Sequence, residues 1–401
     1  MLLTMKDEQR LKVIQGVMDR QIRVGEAGRI LHRCERTVFR VLKRVREDGA
    51  RGVVHRGRGR RHPRRVSDTV RSKVVDLALG PYKDINDTQF TELLASREHV
   101  VLSRETIRRV LRAAKVAPKR RRRQGRYRSR RERKEAFGMM LQIDASVHDW
   151  LEGRGPLLTL VGARDDATGY VWARFVTAET LWAYMDLMRD VFTSHGRPLS
   201  LYSDRHAIFH TMREPTIVEQ LTDTVPLTQF GRAMDELGIG IIKAWSPQAK
   251  GRIERLWGIL QDRLVVALRL ADASTLAKAN ACLAHYLVTF NQKFTVLARS
   301  AQTAFRKAPP ATLLDTTLCV KDSRVVNKDH TISFEGLALQ LPPSRHYHAI
   351  AGKRVVVLQF QDGALWIAYR GKVIVKFSPE AITRMLKDKQ NIKSDLRVNA
   401  A

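Results

Sequence analysis

Cysteine is nearly absent from this chain of 401 residues: Cys34, Cys282 and Cys319 stand far apart and odd in number. No disulfide framework and no Cys-x-x-Cys zinc pair can be assembled from them, so a reducing, intracellular setting is expected. Long apolar runs are missing too. Nowhere do about 18 apolar residues follow one another, as a membrane-spanning helix requires, and the opening MLLTMKDEQRLK turns charged too early for a signal peptide. A soluble, cytoplasmic protein is the expectation. Acids are scarce relative to bases: 41 Asp and Glu face 72 Lys and Arg, a formal net charge of +31. Such an excess favours polyanions. A phosphate backbone is the obvious partner, because each phosphate neutralised by Lys or Arg releases counterions. The length leaves room for two to four domains, at least one with a sizeable core.

The basic residues are clustered. Residues 6–48 read as three short helices; in the third, Val38, Val41, Leu42 and Val45 form one apolar face while Arg36, Arg40, Lys43 and Arg44 lie away from it. A trihelical unit with a basic last helix is the helix-turn-helix pattern, whose last helix enters the major groove of DNA. The alternative is a plain helical bundle with a solvated basic face. A Gly/Arg-rich stretch, residues 49–65, has too little apolar content to pack and reads as a linker. The trihelical theme then returns over 66–116. Val70, Val74 and Leu77 mark one helix, Phe90, Leu93 and Leu94 a second, and Ser103 caps a third with Ile107, Val110 and Leu111 inside and Arg104, Arg108, Arg109 and Arg112 outside. A second basic linker, residues 117–136, follows.

From Met139 the texture changes. MMLQIDASV is a short strand, and aspartate is depleted in strands, so Asp144 within it calls for a reason. LLTLVGARDDATGYVWARFV is a hairpin turning near Asp165 and Asp166, whose turn setting makes them structural acids. An amphipathic helix is expected over 178–192. The strand PLSLYS ends at Asp204, a position that a turn or a helix cap also explains. A polar stretch over 206–228 reads as an insertion. His206 and His210 within it invite a zinc reading, but no paired Cys or second His group is in place. A buried strand at Ile239, Ile241 and Ile242 then feeds a helix with Ile253, Leu256, Trp257, Leu260 and Leu264 on its apolar stripe. Glu254 lies about 60° from Trp257 around that helix, and Trp245 and Trp257 read as core residues. Taken alone, Glu254 fits a surface ion pair with Lys250 at i, i+4.

Together these stretches resemble the DDE transposases of the retroviral-integrase type, with an RNase H-like core, and among them the insertion-sequence group ISNCY. Leu141-Gln142-Ile143-Asp144 looks like the first family element, Leu201-Tyr202-Ser203-Asp204-Arg205 like the second, and Ser246-Pro247-Gln248-Ala249-Lys250-Gly251-Arg252-Ile253-Glu254-Arg255 like the third. Glu254 follows Asp204 by 50 positions (254 − 204), longer than is typical of the family, and the polar insertion accounts for the excess at little thermodynamic cost. The resemblance implies a catalytic triad of Asp144, Asp204 and Glu254 holding two Mg²⁺ ions, for which Mn²⁺ would substitute. It also implies double-stranded DNA as partner, both transposon ends and target, and a homo-oligomer of at least two chains on it, associated with the nucleoid. Lys250 and Arg252, near the acids, are candidate phosphate contacts. A catalytically inactive, transposase-derived repressor is the alternative, and differs only at the metal site.

The remainder, residues 271–315, reads as a helical extension, expected as one helix over 271–294, and a linker. Alternating strands over 316–386 suggest a small antiparallel β-barrel, and residues 387–401 a disordered tail. The expected architecture is therefore multidomain: a helix-turn-helix module over 1–48 and another over 66–116, a central α/β RNase H-like catalytic domain with a mixed five-stranded sheet over 137–270, and the C-terminal barrel.

Overall fold

A computed structural model describes residues 3–58, 65–119, 131–211, 213–214, 216–221, 226–244, 251–342 and 350–387. Parts of both basic linkers, residues 245–250 with Trp245 and Lys250, and the tail beyond residue 387 lie outside them. Two compact units emerge, Met1–Val74 and Val75–Ala401.

In the first unit, α1 (Met5–Met18), α2 (Val24–Ile30) and α3 (Glu35–Asp48) enclose a small core of Ile14, Ala27, Val38, Val41, Leu42, Val45 and Val53. Thr4 and Asp7 cap α1 reciprocally, each side chain bonded to the other residue's backbone N–H. A 3₁₀ turn, Gly49–Val53, packs so tightly on α3 that a Cβ at Gly52 would lie 2.4 Å from the Arg44 carbonyl.

Beyond α4 (Asp68–Leu79), the second unit opens with α5 (Asp87–Ser96) and α6 (Arg104–Ala113). Asn86 and Ser103 cap them by accepting from the backbone N–H groups of Gln89 and Thr106. Next comes an α/β layer of β1 (Leu141–His148), β2 (Leu158–Asp165), β3 (Val171–Val176), α7 (Leu181–His195), β4 (Ser200–Ser203), α8 (Ile217–Leu221), α9 (Gln229–Glu236), β5 (Gly240–Lys243), α10 (Gly251–Leu270) and α11 (Leu276–Phe294). Its five strands form one mixed sheet in the order β3-β2-β1-β4-β5, antiparallel through β1 and parallel beyond it. The parallel pairs need crossover connections, which α7 and α9 supply.

Strand alternation divides the core in two. Leu141, Ile143, Val161 and Ala163 face α7 and α9, while Leu158, Leu160 and Phe175 face α10 and α11. At burial worth roughly 1.5–3 kcal/mol per large apolar side chain, these two layers fix the sheet between its helices.

Several elements depart from what the sequence leads one to expect. Helix α7 starts at Leu181 because Thr180 caps it, accepting from Ala183 N–H at 3.2 Å. The single helix expected over 271–294 is shorter, since α10 runs on to Leu270 and Thr275 caps α11. β5 is not a buried strand: among the described residues it is the last in the sheet, bonded only to β4, and Ile242 is 43% exposed.

After α12 (Ala311–Thr317), the C-terminal strands are β6 (Val320–Val325), β7 (Thr331–Phe334), β8 (Leu337–Gln340), β9 (Arg354–Gln359), β10 (Leu365–Tyr369) and β11 (Lys372–Phe377). They do not close into the expected barrel among the described residues. A four-stranded sheet, β11-β10-β9-β6, stands beside a separate β7-β8 hairpin. Ile332, Phe334, Leu337 and Leu339 of the hairpin pack against Val355, Val357, Leu365 and Ile367 of the sheet. The apolar face is thereby covered by stacking, so strand-to-strand closure is not needed to bury it.

One cluster makes stability depend on pH. The His195 ring meets Phe137 at 5.4 Å and Trp172 at 5.0 Å between centroids, both edge-on, and its Nδ1 accepts from Trp172 Nε1 at 3.3 Å. Burial pushes the His195 pKa down from 6.5. The folded chain thus resists a proton that the unfolded chain accepts below about pH 6.5, so the contribution is intact above that pH and is lost as pH falls. The thermal midpoint is expected to drop between about pH 7.5 and 5.5, and to drop less in His195→Phe, as differential scanning calorimetry would read.

Candidate active site and nucleic-acid surfaces

Asp144 and Asp204 reach one end of the sheet from neighbouring strands. Strands β1 and β4 run parallel, with Leu141 opposite Leu201 and Gln142 opposite Tyr202. Two residues beyond that pairing stand Asp144, within β1, and Asp204, the first residue past the end of β4, so the parallel pairing brings both to the same neighbourhood. An independent sign of their closeness is Tyr184 on α7. Burial, then its 2.6 Å bond to Glu179, then the charges of Asp144 and Asp204 all oppose ionisation of this phenol. Asp204 Oδ1 also accepts from the backbone N–H of His206 at 3.0 Å.

The face of β1 that carries Asp144 is polar, and α10 lies along it. Ile253 N–H, an otherwise orphaned donor of the helix's first turn, donates to Gln142 Oε1 at 3.2 Å. One turn on, Trp257 Nε1 donates to Asp144 Oδ2 at 2.9 Å, and after another, Gln261 Nε2 donates to Ser146 Oγ at 3.1 Å. Strand positions two apart therefore meet helix positions four apart. That match fixes the height and rotation of α10 and places Glu254 at a level between Gln142 and Asp144. Gln142 is 1% exposed, and neither its role nor that of Trp257 follows from the sequence motifs above. The spacing of Gln142, Asp144 and Ser146, three polar residues on one face of a central strand, is the signal that points to them.

Glu254 is exposed on the first turn of α10. Among the described residues no three His, Cys, Asp or Glu side chains come close enough to share one metal ion. Asp144, Asp204 and Glu254 therefore do not form a three-acid metal cluster among the described residues.

Asp165 and Asp166 have structural partners. Asp165 accepts from the Gly138 and Thr168 N–H groups and from the Thr168 hydroxyl, at 2.7–2.9 Å. Burial raises its pKa against those bonds. Asp166, 1% exposed, accepts from Arg131, Arg252 and Gln142 at Oδ1 and from Lys134 N–H at Oδ2. It ties the start of α10 to the sheet and to the residues entering β1.

The basic candidates divide by the same test. Arg36, Arg40 and Lys43 on α3 are exposed, as are Arg104, Arg108 and Arg109 on α6. The remaining described ones turn inward. Arg44 donates to the Val54 carbonyl at 3.4 Å, Arg112 pairs with Asp87 at 2.6 Å, and Arg252 is bound by Asp166. These three are half-buried, each guanidinium held by a neighbouring carbonyl or carboxylate. Lys250 lies outside the described residues.

Helix α5 is committed to α10. Asn86 Nδ2 donates to Asp262 Oδ2 at 2.5 Å, Gln89 Nε2 to the Arg263 carbonyl at 2.9 Å, and Glu92 pairs with Arg263 at 2.9 Å and Lys293 at 2.5 Å. Burial opposes the Glu92 charge, but hydrogen bonds from both cations outweigh it and hold this carboxyl below its ordinary range.

Comparison with known proteins bears on this arrangement. A homeodomain-like domain model matches residues 37–111. The chain is 33% identical over 369 residues to the Sinorhizobium fredii protein named "Putative transposase y4bF", an alignment covering 91% of this chain and 79% of that one. It is 29% identical over 380 residues to the transposase for insertion sequence IS1202 of Streptococcus pneumoniae, covering 86% and 80%. Among solved structures, the catalytic core domain of BIV integrase aligns with 40% of this chain and 88% of its own at 23% identity and a TM-score of 0.28, too low to carry an argument. The breadth of the match to y4bF makes the chain a member of the transposase family to which that protein belongs.

Proposed function

We propose that the chain is an active transposase that binds the ends of an insertion sequence and carries out metal-dependent phosphodiester hydrolysis and strand transfer. The observation that carries this reading is Asp144 on β1 and Asp204 just past its parallel neighbour β4, both charges acting on Tyr184, with α10, bearing Glu254, bonded along β1. An all-oxygen donor set of this kind suits Mg²⁺ or Mn²⁺ better than softer metals. Asp144, Asp204 and Glu254 would hold two such ions. When bound, they supply charge stabilisation for the attacking and departing oxygens of the phosphodiester. The chain's own part is positional: β1 carries Asp144, the end of β4 leads into Asp204, and the first turn of α10 must bring Glu254 toward them. No protein nucleophile is required, since water and then a DNA 3′-hydroxyl attack.

Under this reading α3 and α6 grip the DNA ends through Arg36, Arg40, Lys43, Arg104, Arg108 and Arg109, whose guanidinium and ammonium groups are exposed. The two helical modules over 1–48 and 66–116 precede a catalytic core over 137–270. Synapsis of two ends calls for at least a dimer, inside the cell and on the nucleoid. The test is incubation of the full chain with Mg²⁺ and DNA carrying the element's ends. Cleavage exposing a 3′-hydroxyl, followed by strand transfer, is the expected result. Stable end binding with neither product, under Mg²⁺ and Mn²⁺ alike, would instead mark a transposase-derived repressor, a reading that the exposed position of Glu254 keeps in contention.

A further inference from the structure

Trp257 occupies an unusual place for a tryptophan of the core. Its ring is 6% exposed and packs with Ile253, Leu256 and Leu260, yet its one polar atom points at a candidate metal-binding carboxylate, with Nε1 2.9 Å from Asp144 Oδ2. The neighbouring strand is cut to fit. Gly162 on β2 stands opposite Asp144, and a Cβ there would lie 2.7 Å from Trp257 Cη2. Glycine inside a strand costs order, and its presence here is explained by the ring that needs the space. The indole is a donor only and stays protonated at any physiological pH. It can therefore orient a carboxylate without competing for a proton or a cation.

We propose that Trp257 is a positioning residue for Asp144: its indole N–H fixes the carboxylate in the orientation that receives a divalent cation. The inference rests on the reading of Asp144 as a metal ligand. Partners bonded to a ligating carboxylate hold its oxygens in place before the ion arrives, and their loss typically lowers metal affinity by about 10- to 100-fold. The same bond sits one helical turn past Glu254, so it also holds the helix that must deliver the third acid. Both effects are removed by Trp257→Phe, which keeps most of the ring and deletes the N–H.

The experiment titrates Mn²⁺ into the full chain and reads free Mn²⁺ by electron paramagnetic resonance, for the unsubstituted protein, W257F, W257H and D144N. End binding is measured by gel shift and cleavage as a function of Mg²⁺. In W257F, Mn²⁺ binding is expected to weaken by about 10- to 100-fold. The Mg²⁺ needed for half-maximal cleavage should rise in parallel, with end binding unchanged. W257H, which retains a ring N–H, recovers part of the loss. Should W257F bind Mn²⁺ like the unsubstituted chain while D144N does not, the role of Trp257 is overturned and Asp144 stands as a ligand. Should D144N itself leave Mn²⁺ binding unaltered, the metal reading of Asp144 fails, and this proposal with it. If W257F does not fold, the indole ¹H–¹⁵N resonance of Trp257 in the unsubstituted chain decides. It is expected to shift on addition of Mg²⁺ and not to shift in D144N; a resonance indifferent to Mg²⁺ overturns the proposal.

Discussion

Glu254→Gln is expected to reduce both DNA cleavage and strand transfer by at least about 10³-fold, the scale on which a preorganised site loses one charge-stabilising group. The substitution keeps the shape and removes the charge. Because the Glu254 side chain is exposed and lies off the apolar stripe of α10, folding stability should stay within about 0.5 kcal/mol of the unsubstituted chain. End binding should also persist, since the exposed arginines of α3 and α6 are untouched. Cleavage assays at saturating Mg²⁺, alongside gel shifts and denaturant melts, separate the three quantities. A Glu254→Gln protein that still joined strands would remove Glu254 from the chemistry. Comparable losses are expected for Asp144→Asn and Asp204→Asn.

Asp166→Ala is expected to fail in the opposite way, in stability first. The carboxylate is buried and takes hydrogen bonds from Arg131, Arg252, Gln142 and the Lys134 N–H. Deleting it removes the partner of the buried Gln142 amide and of the half-buried Arg252, while Arg131, 45% exposed, can turn to water. Each buried donor left without a partner costs about 1–3 kcal/mol, and the solvent-accessible arginines add little more. Urea unfolding of the full chain should show that loss, and Asp166→Asn, which retains acceptor and volume, a smaller one. Activity should fall along with stability, because Asp166 anchors the residue two positions before Glu254. A melt indistinguishable from that of the unsubstituted chain would show that the cluster is solvated and dispensable.

The contrast between Glu254 and Asp166 marks what a sequence can reveal and what it cannot. Strand alternation alone makes Asp144 conspicuous, since a charged residue in a central strand needs a partner. Helical period identifies the buried stripe of α10, and the Ser103 cap locates the start of α6 to the residue. What periodicity cannot convey is the identity of a distant partner. Arg36 and Arg44 look equivalent on a helical wheel, but only Arg44 finds the Val54 carbonyl. Arg252 has the sequence setting of a phosphate contact, yet Asp166, 86 positions earlier, claims it. The barrel fails for a related reason: alternation shows that strands have an apolar face, not whether another strand or a stacked hairpin will cover it. The docking of α5 on α10 depends on Asn86, Gln89 and Glu92, polar residues that composition alone assigns to solvent.

The rungs between β1 and α10 have one more implication. Four helical residues advance about 6.0 Å, whereas two strand residues advance about 6.7 Å. Strand and helix thus behave like the two scales of a vernier, slipping by roughly 0.7 Å at each rung. Three rungs, Gln142 to Ile253, Asp144 to Trp257 and Ser146 to Gln261, accumulate little more than an ångström, which hydrogen bonds of 2.9–3.2 Å absorb. A fourth or fifth would not close, and beyond Gln261 the helix is held by apolar contacts at Leu264 and Leu268, which have no such length requirement. The rungs run from Gln142 to Ser146 of β1, with Asp144 at the middle one. Inserting a single residue between Ile253 and Trp257 would turn the indole by about 100° and take its N–H away from Asp144.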